Sequence, residues 1–445
     1  MQVEAWLARA ARSVPGATAL HTPEARLSYA ELLQAARLAA GELAQRGVSG
    51  GDRVAIELPA GIDFALALHA CLLLGAVVVP LDLRLTAEER DRLSATASVR
   101  VSEPLRSQSP EVQGELTHDL DAVCAVIHTS GTTSAPRPVE LTYGNFLWSA
   151  LGSAVALGVD PAERWLCALP LSHVGGLSIL VRSAIYATTA VVHERFETER
   201  VLAALGEQEI TLVSLVSTTL SRLLDAGLRD PPSLRCALTG GGPVPGALVE
   251  RARRAGVPVL ETYGLTECCS QAATAPLAAL QARARVGDGE HGPGAPLFCT
   301  KIELAEDGEI LLCGPTVAPA SPAADGRLHT GDLGRLDARG FLHVSGRKAD
   351  TIVSGGENVA PSEVEAVLES HPAVIEAAVV GREDREWGEA VTAIVLVAGQ
   401  AQASEADLRA HCAARLAPFK VPKRVVFVTT PLPRTRSGKL LRREL

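Results

Sequence analysis

The chain has 445 residues, 47% of them hydrophobic and only 3% aromatic. That length exceeds one compact core, so two or more domains are expected, with interiors built from Ala, Val and Leu. A formal net charge of −9, with both signs interspersed, argues against a nucleic-acid-binding surface. Nine cysteines show no CxxC or Cys/His metal spacing. The first residues lack a basic region followed by an apolar one, so no secretory signal is expected and a reducing cytoplasm fits.

In chain order, Ser28-Tyr-Ala-Glu31 opens a helix with a capping box. Val54-Ala-Ile-Glu-Leu58 is strand-like. Phe64 to Leu83 is nearly apolar over the length of a membrane span. His69, Gly75 and Pro80 interrupt it, so the expectation is a buried helix ending at Gly75, a short strand at Val77–Val79 and no membrane. Short apolar runs follow at Leu166–Leu169, Ala190–His193, Thr211–Val216, Cys236–Thr239 and Val257–Leu260, with helical stretches between several of them. That alternation predicts parallel α/β sheets flanked by helices. Lys301–Gly314 reads as a hairpin turning at Glu306-Asp-Gly308, and Thr316–Ala324 as a surface loop. Near Gly346 the character changes to a small α+β unit. There Ser362-x-x-Glu365 reads as a second capping box, Leu408–Leu416 as a helix, and Ala377–Val380, Val391–Val397 and Val425–Val428 as strands.

Four stretches could carry chemistry. The first is "HTSGTTSAPRP", His128 to Pro138, after apolar Val123–Ile127. Backbone N–H groups around its glycine, with Thr129, Ser130, Gly131, Thr132 and Thr133 adding hydroxyls, suit phosphate oxygens. It lacks the Walker A spacing, and a Ser/Thr/Gly surface turn is the plain alternative. The second is Thr239-Gly240-Gly241-Gly242-Pro243 with Glu261-Thr-Tyr263-Gly-Leu-Thr266-Glu267. Three glycines let a flat ring approach the backbone, Tyr263 could stack on it, Thr266 can donate to phosphate and Glu267 can hold Mg²⁺. The third is Thr330-Gly-Asp332 with Gly346-Arg347-Lys348-Ala-Asp350: a carboxylate for ribose hydroxyls and a planar cation. The fourth is Arg434-Thr-Arg-Ser-Gly-Lys439, a cation on a glycine-containing loop near the C-terminus.

Together, in this order, the four resemble the adenylate-forming superfamily of acyl-CoA ligases, luciferases and adenylation domains, from about Leu27 to the end. Within it, "LTYGNFLWSALGSAVALGV", "RWLCALPLSHVGGLSILVRSAIY", "LVSTTLSRLL", "RCALTGGGPVP" and "SGGENVAPSEVEAVL" are similar to the o-succinylbenzoate–CoA ligases of menaquinone biosynthesis. The resemblance implies an α/β fold: a large N-terminal domain of mixed, largely parallel sheets (1–346) and a small mobile α+β domain (347–445), hinged near 347–350. It implies ATP, Mg²⁺ and coenzyme A as reactants and cofactor, and an aromatic carboxylic acid as substrate, o-succinylbenzoate first.

By position, the resemblance puts Thr129–Thr133 on the β/γ-phosphates, Gly240–Gly242 and Tyr263 at adenine, Thr266 at the α-phosphate and Glu267 on the metal. Asp332 and Arg347 would bind the ribose, and Lys439 would bridge carboxylate and α-phosphate. The Gly355–Gly356 loop would serve the thioester step. His173 would border the acyl pocket, with Ser217 and Thr218 lining it. Arg222, Arg182 and His173 are candidates to meet a second carboxylate.

The resemblance breaks at Ser134, Arg137 and Pro138, where the superfamily usually carries Gly, Lys and Gly. Pro138 stiffens the loop, and Arg137 keeps the charge without the compact ammonium. This leaves a rival reading: an aryl acyltransferase that moves an aryl group from CoA to the phosphopantetheine thiol of an acyl carrier protein without ATP.

Overall fold

The computed structural model describes residues 1–106, 111, 116–129, 136–278, 292–385, 387–397, 403–434 and 440–445. Five sheets organise it. A five-stranded sheet runs in the order Val99–Val101, Arg53–Ile56, Val77–Pro80, Val123–Thr129, Arg137–Thr142. Its first four strands are parallel, and the fifth folds back antiparallel on the fourth. That fifth strand is an edge, which is where Pro138, with no N–H to give, can be accommodated.

The eight-stranded sheet has six parallel strands at its centre: Val259–Tyr263, Cys236–Thr239, Leu212–Leu215, Arg164–Cys167, Thr189–Val192 and Thr18–His21. Antiparallel Ala273–Thr274 and Arg26–Ser28 close its edges. One core joins the two sheets: Val54, Ile56 and Val78 of the first, Trp165, Leu212 and Leu238 of the second, and residues of the helices Ile62–Leu74 and Val174–Tyr186 share it. The apolar run from Phe64 is therefore a core helix, buried around most of its circumference and stopped by Gly75 in a left-handed conformation. Among the described residues no helix is long and apolar enough to cross a membrane.

Two further sheets follow. Lys301–Leu304, Glu309–Cys313, Leu328–Leu336 and Leu342–Arg347 form an antiparallel meander; the expected hairpin at Asp307-Gly308 is its first turn. The last sheet is centred on the long hairpin Val374–Asp384/Gly388–Val397, with Arg424–Val428 parallel to its second strand. Helices Pro361–Glu369 and Glu405–Ala413 pack on it through Val364, Leu368, Leu408 and Cys412, a separate core. The fifth pairing is the short Gln2–Glu4 with Thr117–Asp119.

The capping box at Ser28 forms as expected, Glu31 N–H donating to Ser28 Oγ and Ser28 N–H to Glu31. The one at Ser362 does not. Pro361 takes the first helical position, so the helix starts earlier and Ser362 lies inside it. Its hydroxyl bonds Ser345 O instead, while Glu365 accepts Val379 N–H and pairs with Arg442. The expected surface loop at Thr316–Ala324 also needs correcting. Thr316, Val317 and Ala318 are buried, because the buried Asn145 amide donates to Pro315 O and Val317 O and Ala318 N–H donates to Glu267 O.

Candidate functional site

Thr129, Gly240–Gly242 and Thr266–Glu267 lie at or just beyond the ends of parallel strands, where such sheets place ligands. Thr129 ends its strand, cross-strand from Arg137, whose carbonyl accepts its hydroxyl at 3.3 Å. Arg137 and Pro138 are exposed. Ser130, Gly131, Thr132, Thr133 and Ser134 lie outside the described residues, as does Lys439.

Gly240–Gly242 follow the Cys236–Thr239 strand. A Cβ on Gly240 would stand 2.5 Å from Thr262 O, and Gly241 has φ +78°, so both positions need glycine. Ser217 ties this loop to the helix Ser217–Asp225 by donating to Pro243 O at 2.6 Å. Thr218 and Arg222 are one turn apart on that helix, Arg222 exposed.

The Tyr263–Ala272 turn is closed by its own backbone. Cys268 N–H and Ser270 N–H donate to Leu265 O, and Ala272 N–H to Tyr263 O. Two successive non-glycine residues, Cys269 (φ 52°) and Ser270 (φ 93°), sit in the left-handed region, a conformation that costs energy and persists only where surroundings enforce it. Gly264 allows it: a Cβ there would fall 1.6 Å from Ser270 O. The turn presents Thr266 and Glu267 on a single 3₁₀ turn, half-buried. Among the described residues no basic group pairs with the Glu267 carboxylate.

Arg182 braces this turn from behind. It is buried, donates to Ser149 Oγ at 2.8 Å and lies 5.7 Å from the Trp165 ring centre; Ser149 in turn donates to Cys269 O at 2.6 Å.

Asp332 and Arg347 are cross-strand neighbours in the meander. Arg347 Nε is 2.8 Å from Asp332 Oδ1, and its guanidinium also donates to Thr330 O at 3.1 Å. The Tyr263 hydroxyl donates to Asp332 Oδ2 at 2.8 Å, its ring packed with Cys268, Ile310, Leu312 and Leu342. Burial and the neighbouring Asp332 carboxylate push the Tyr263 phenol well above its ordinary value. The ring that was expected to stack on a ligand thus joins the second stretch to the third, and it is only 9% exposed.

His173 caps the helix Val174–Tyr186 without a side-chain bond to it. Its Nε2 lies 3.3 Å from Arg84 Nη2, and Arg84 forks onto Asp82. Burial raises the Asp82 carboxyl, but Arg84 outweighs that and holds it below the ordinary range. Sequence reasoning missed this group, although Asp82 and Arg84 directly follow the strand end at Pro80. It also missed Glu309, a buried carboxylate that accepts Gly331 N–H at 2.9 Å and Lys348 Nζ at 3.0 Å. Burial raises its pKa, and Lys348 with the Gly331 N–H more than reverse that.

Gly355 and Gly356 form the left-handed turn between Ile352–Ser354 and Glu357–Val359 (φ 60° and 84°). Gly355 N–H donates to Trp387 O at 2.8 Å. The described residues next to Lys439 are firmly held: Arg434 pairs with Glu376, and Arg442 with Glu365 and Asp350.

The AMP-binding enzyme family matches residues 7–102 and 94–320, and its C-terminal domain matches 363–439. The chain is 38% identical to the 2-succinylbenzoate–CoA ligase of Bacillus subtilis (strain 168), over 99% of this chain and 97% of that one. Among solved structures it is similar to the o-succinylbenzoate CoA synthetase of Bacillus subtilis in complex with the acyl-adenylate intermediate OSB-AMP. That match has a TM-score of 0.89 and 37% identity, and covers 100% of this chain and 98% of the other. The same synthetase with ATP and magnesium gives a TM-score of 0.88 at 37% identity and full coverage of both. From its first strands to its last, the chain belongs to the AMP-binding enzyme family of adenylate-forming enzymes.

Proposed function

We propose that this protein is an acid–CoA ligase that activates o-succinylbenzoate with Mg·ATP, forms the acyl-adenylate, and passes the acyl group to coenzyme A. The observation that carries it is likeness over the whole length of both chains to a 2-succinylbenzoate–CoA ligase. In the first half-reaction a carboxylate oxygen attacks the α-phosphorus and pyrophosphate leaves. In the second the CoA sulfur attacks the acyl carbon and AMP leaves. Adenylation turns a resonance-stabilised carboxylate into a mixed anhydride with a good leaving group.

The site residues divide this work. Gly240–Gly242 leave room for adenine against the backbone, and Asp332 with Arg347 offers the ribose hydroxyls one acceptor and one donor. Thr266 donates to the α-phosphate, and Thr129 to Thr133 line the β/γ-phosphates. The half-buried carboxylate of Glu267, with no basic partner among the described residues, suits Mg²⁺, which favours carboxylate oxygens and several phosphate ligands. When bound, the ion neutralises charge on the phosphates. Lys439 adds a cation between carboxylate and α-phosphate. The acid lies near His173, Ser217 and Thr218, with Arg222 or His173 meeting its second carboxylate; Arg182, buried and bonded to Ser149, is corrected from substrate contact to a brace behind the turn. The division is 1–346 and 347–445. Rotation about 347–350 then withdraws Lys439 and brings the Gly355–Gly356 loop to the thioester face.

The acyltransferase reading draws on one specific feature, the exposed Arg137-Pro138 where the loop departs from the superfamily pattern. Product analysis separates the two. Incubation with o-succinylbenzoate, Mg·ATP and CoA is expected to give thioester, AMP and pyrophosphate in equal amounts. Thioester on a carrier protein from aryl-CoA, with ATP untouched, would overturn the ligase.

A further inference from the structure

Asp332 and Arg347 hold each other, and both are themselves held by something neither contacts directly. Thr330, Gly331 and Asp332 bulge within the strand Leu328–Leu336, where Gly331 is left-handed (φ 69°). Thr330 Oγ1 donates to Ile310 O at 2.8 Å and accepts Asp332 N–H at 3.1 Å. On the other side, Lys348 follows Arg347 immediately. One side chain reaches both places. Glu309, 6% exposed, accepts Gly331 N–H through Oε1 at 2.9 Å and Lys348 Nζ through Oε2 at 3.0 Å. His329 Nδ1 stands 3.5 Å from the second oxygen, and Asp307 shares Lys348 at 2.5 Å.

A carboxylate buried to this degree is expensive unless charge and N–H donors satisfy it. Here its partners are the backbone of one arm of the pair and the side chain next to the other. We infer that Glu309 is a positioning residue for nucleotide recognition: it fixes the spacing of Asp332 and Arg347 and thereby the enzyme's selectivity for an intact ribose. The inference deepens the reading of Asp332 and Arg347 as ribose ligands and rests on it. Glu309 touches no substrate atom itself; removing it frees Gly331 to turn and leaves Lys348 to Asp307 alone, and the fork loses its fixed geometry.

The test compares kcat/KM of acid-dependent pyrophosphate release with ATP and with 2′,3′-dideoxy-ATP. Glu309→Ala is expected to lower the preference for ATP by about tenfold, chiefly through KM for ATP, with the dideoxy substrate little changed. Glu309→Gln keeps an acceptor for Gly331 N–H and is expected to retain most of the preference. If Glu309→Ala does not fold, Glu309→Asp, too short to span both partners, is read the same way and should lower the preference about threefold. A loss shared equally by both nucleotides, or no loss, overturns the inference provided Asp332→Asn abolishes the preference. If Asp332→Asn leaves it intact, the ribose reading fails and takes the inference with it.

Discussion

The Asp332–Arg347 fork and the Thr266–Glu267 turn sit on adjoining elements, bridged by Tyr263, yet they are built in opposite ways. In the fork every charge is answered by another side chain: Arg347 and Tyr263 around the Asp332 carboxylate, Glu309 behind them. In the turn the backbone is fixed at a cost, through Gly264, Cys269 and Ser270, while the Glu267 carboxylate is left without a cation among the described residues. The first is a preorganised recognition surface whose ligand competes with existing partners. The second is a rigid stand for a side chain whose partner arrives with the substrate. Preorganised groups aimed at developing charge contribute most to rate, so the turn should govern chemistry and the fork affinity.

The sharpest way to break that contrast is from the open side. Lys439→Ala is expected to abolish pyrophosphate release while sparing thioester formation from a supplied acyl-adenylate; equal loss of both would refute the two-stage division. Glu267→Gln should lower the adenylation rate by roughly 10²-fold or more, partly recovered by raising Mg²⁺, with thermal stability unchanged. A variant that unfolds more easily would mean the carboxylate is already committed inside the protein.

Gly264→Ala forces a methyl into Ser270 O and should cost about 3 kcal/mol together with activity. Gly242→Ala meets nothing within 4 Å and should stay within about 0.5 kcal/mol in thermal unfolding. Similar losses at both positions would show that the turn is not the strained element.

Glu369 extends the contrast to the last sheet. Burial raises its carboxyl to about 7. Protonated in both states below the unfolded value of 4.5, it leaves stability intact at low pH. Its ionisation then removes stability as pH rises through about 7. Glu369→Gln should therefore gain roughly 1–3 kcal/mol at pH 9 and little at pH 4; the reverse pH order in denaturant unfolding would contradict the sign. A more modest effect, on substrate selectivity, is expected at Arg222. Arg222→Ala should raise KM for o-succinylbenzoate about tenfold, 1.4 kcal/mol, more than for benzoate; an equal rise for both acids would remove Arg222 from the pocket.

Much of the fold was legible because its signals are local. Gly75 ending an apolar helix, the turn at Asp307-Gly308 and the run Cys236–Thr239 each carry their own punctuation, and each formed where expected. Ser362 misled because Pro361, one residue earlier, sets the helix start more firmly than a serine does. Thr316–Ala318 misled because their burial is imposed by Asn145, some 170 residues away. The site was legible as motifs and not as a network. Nothing near Glu309 in the sequence points to Gly331 or Lys348, and nothing near Arg84 points to His173. Those contacts exist only once the strands are paired.

Adenylation is the step at which a ligase and an acyltransferase part. The direct measurement is acid-dependent pyrophosphate release from Mg·ATP, with o-succinylbenzoate, benzoate, salicylate and anthranilate each offered in turn to the folded protein. Release with o-succinylbenzoate well above the others is the predicted result, and it would show that a loop carrying Arg137 and Pro138 still serves ATP. Silence with o-succinylbenzoate, joined to acyl transfer from aryl-CoA to a carrier-protein thiol, would contradict it.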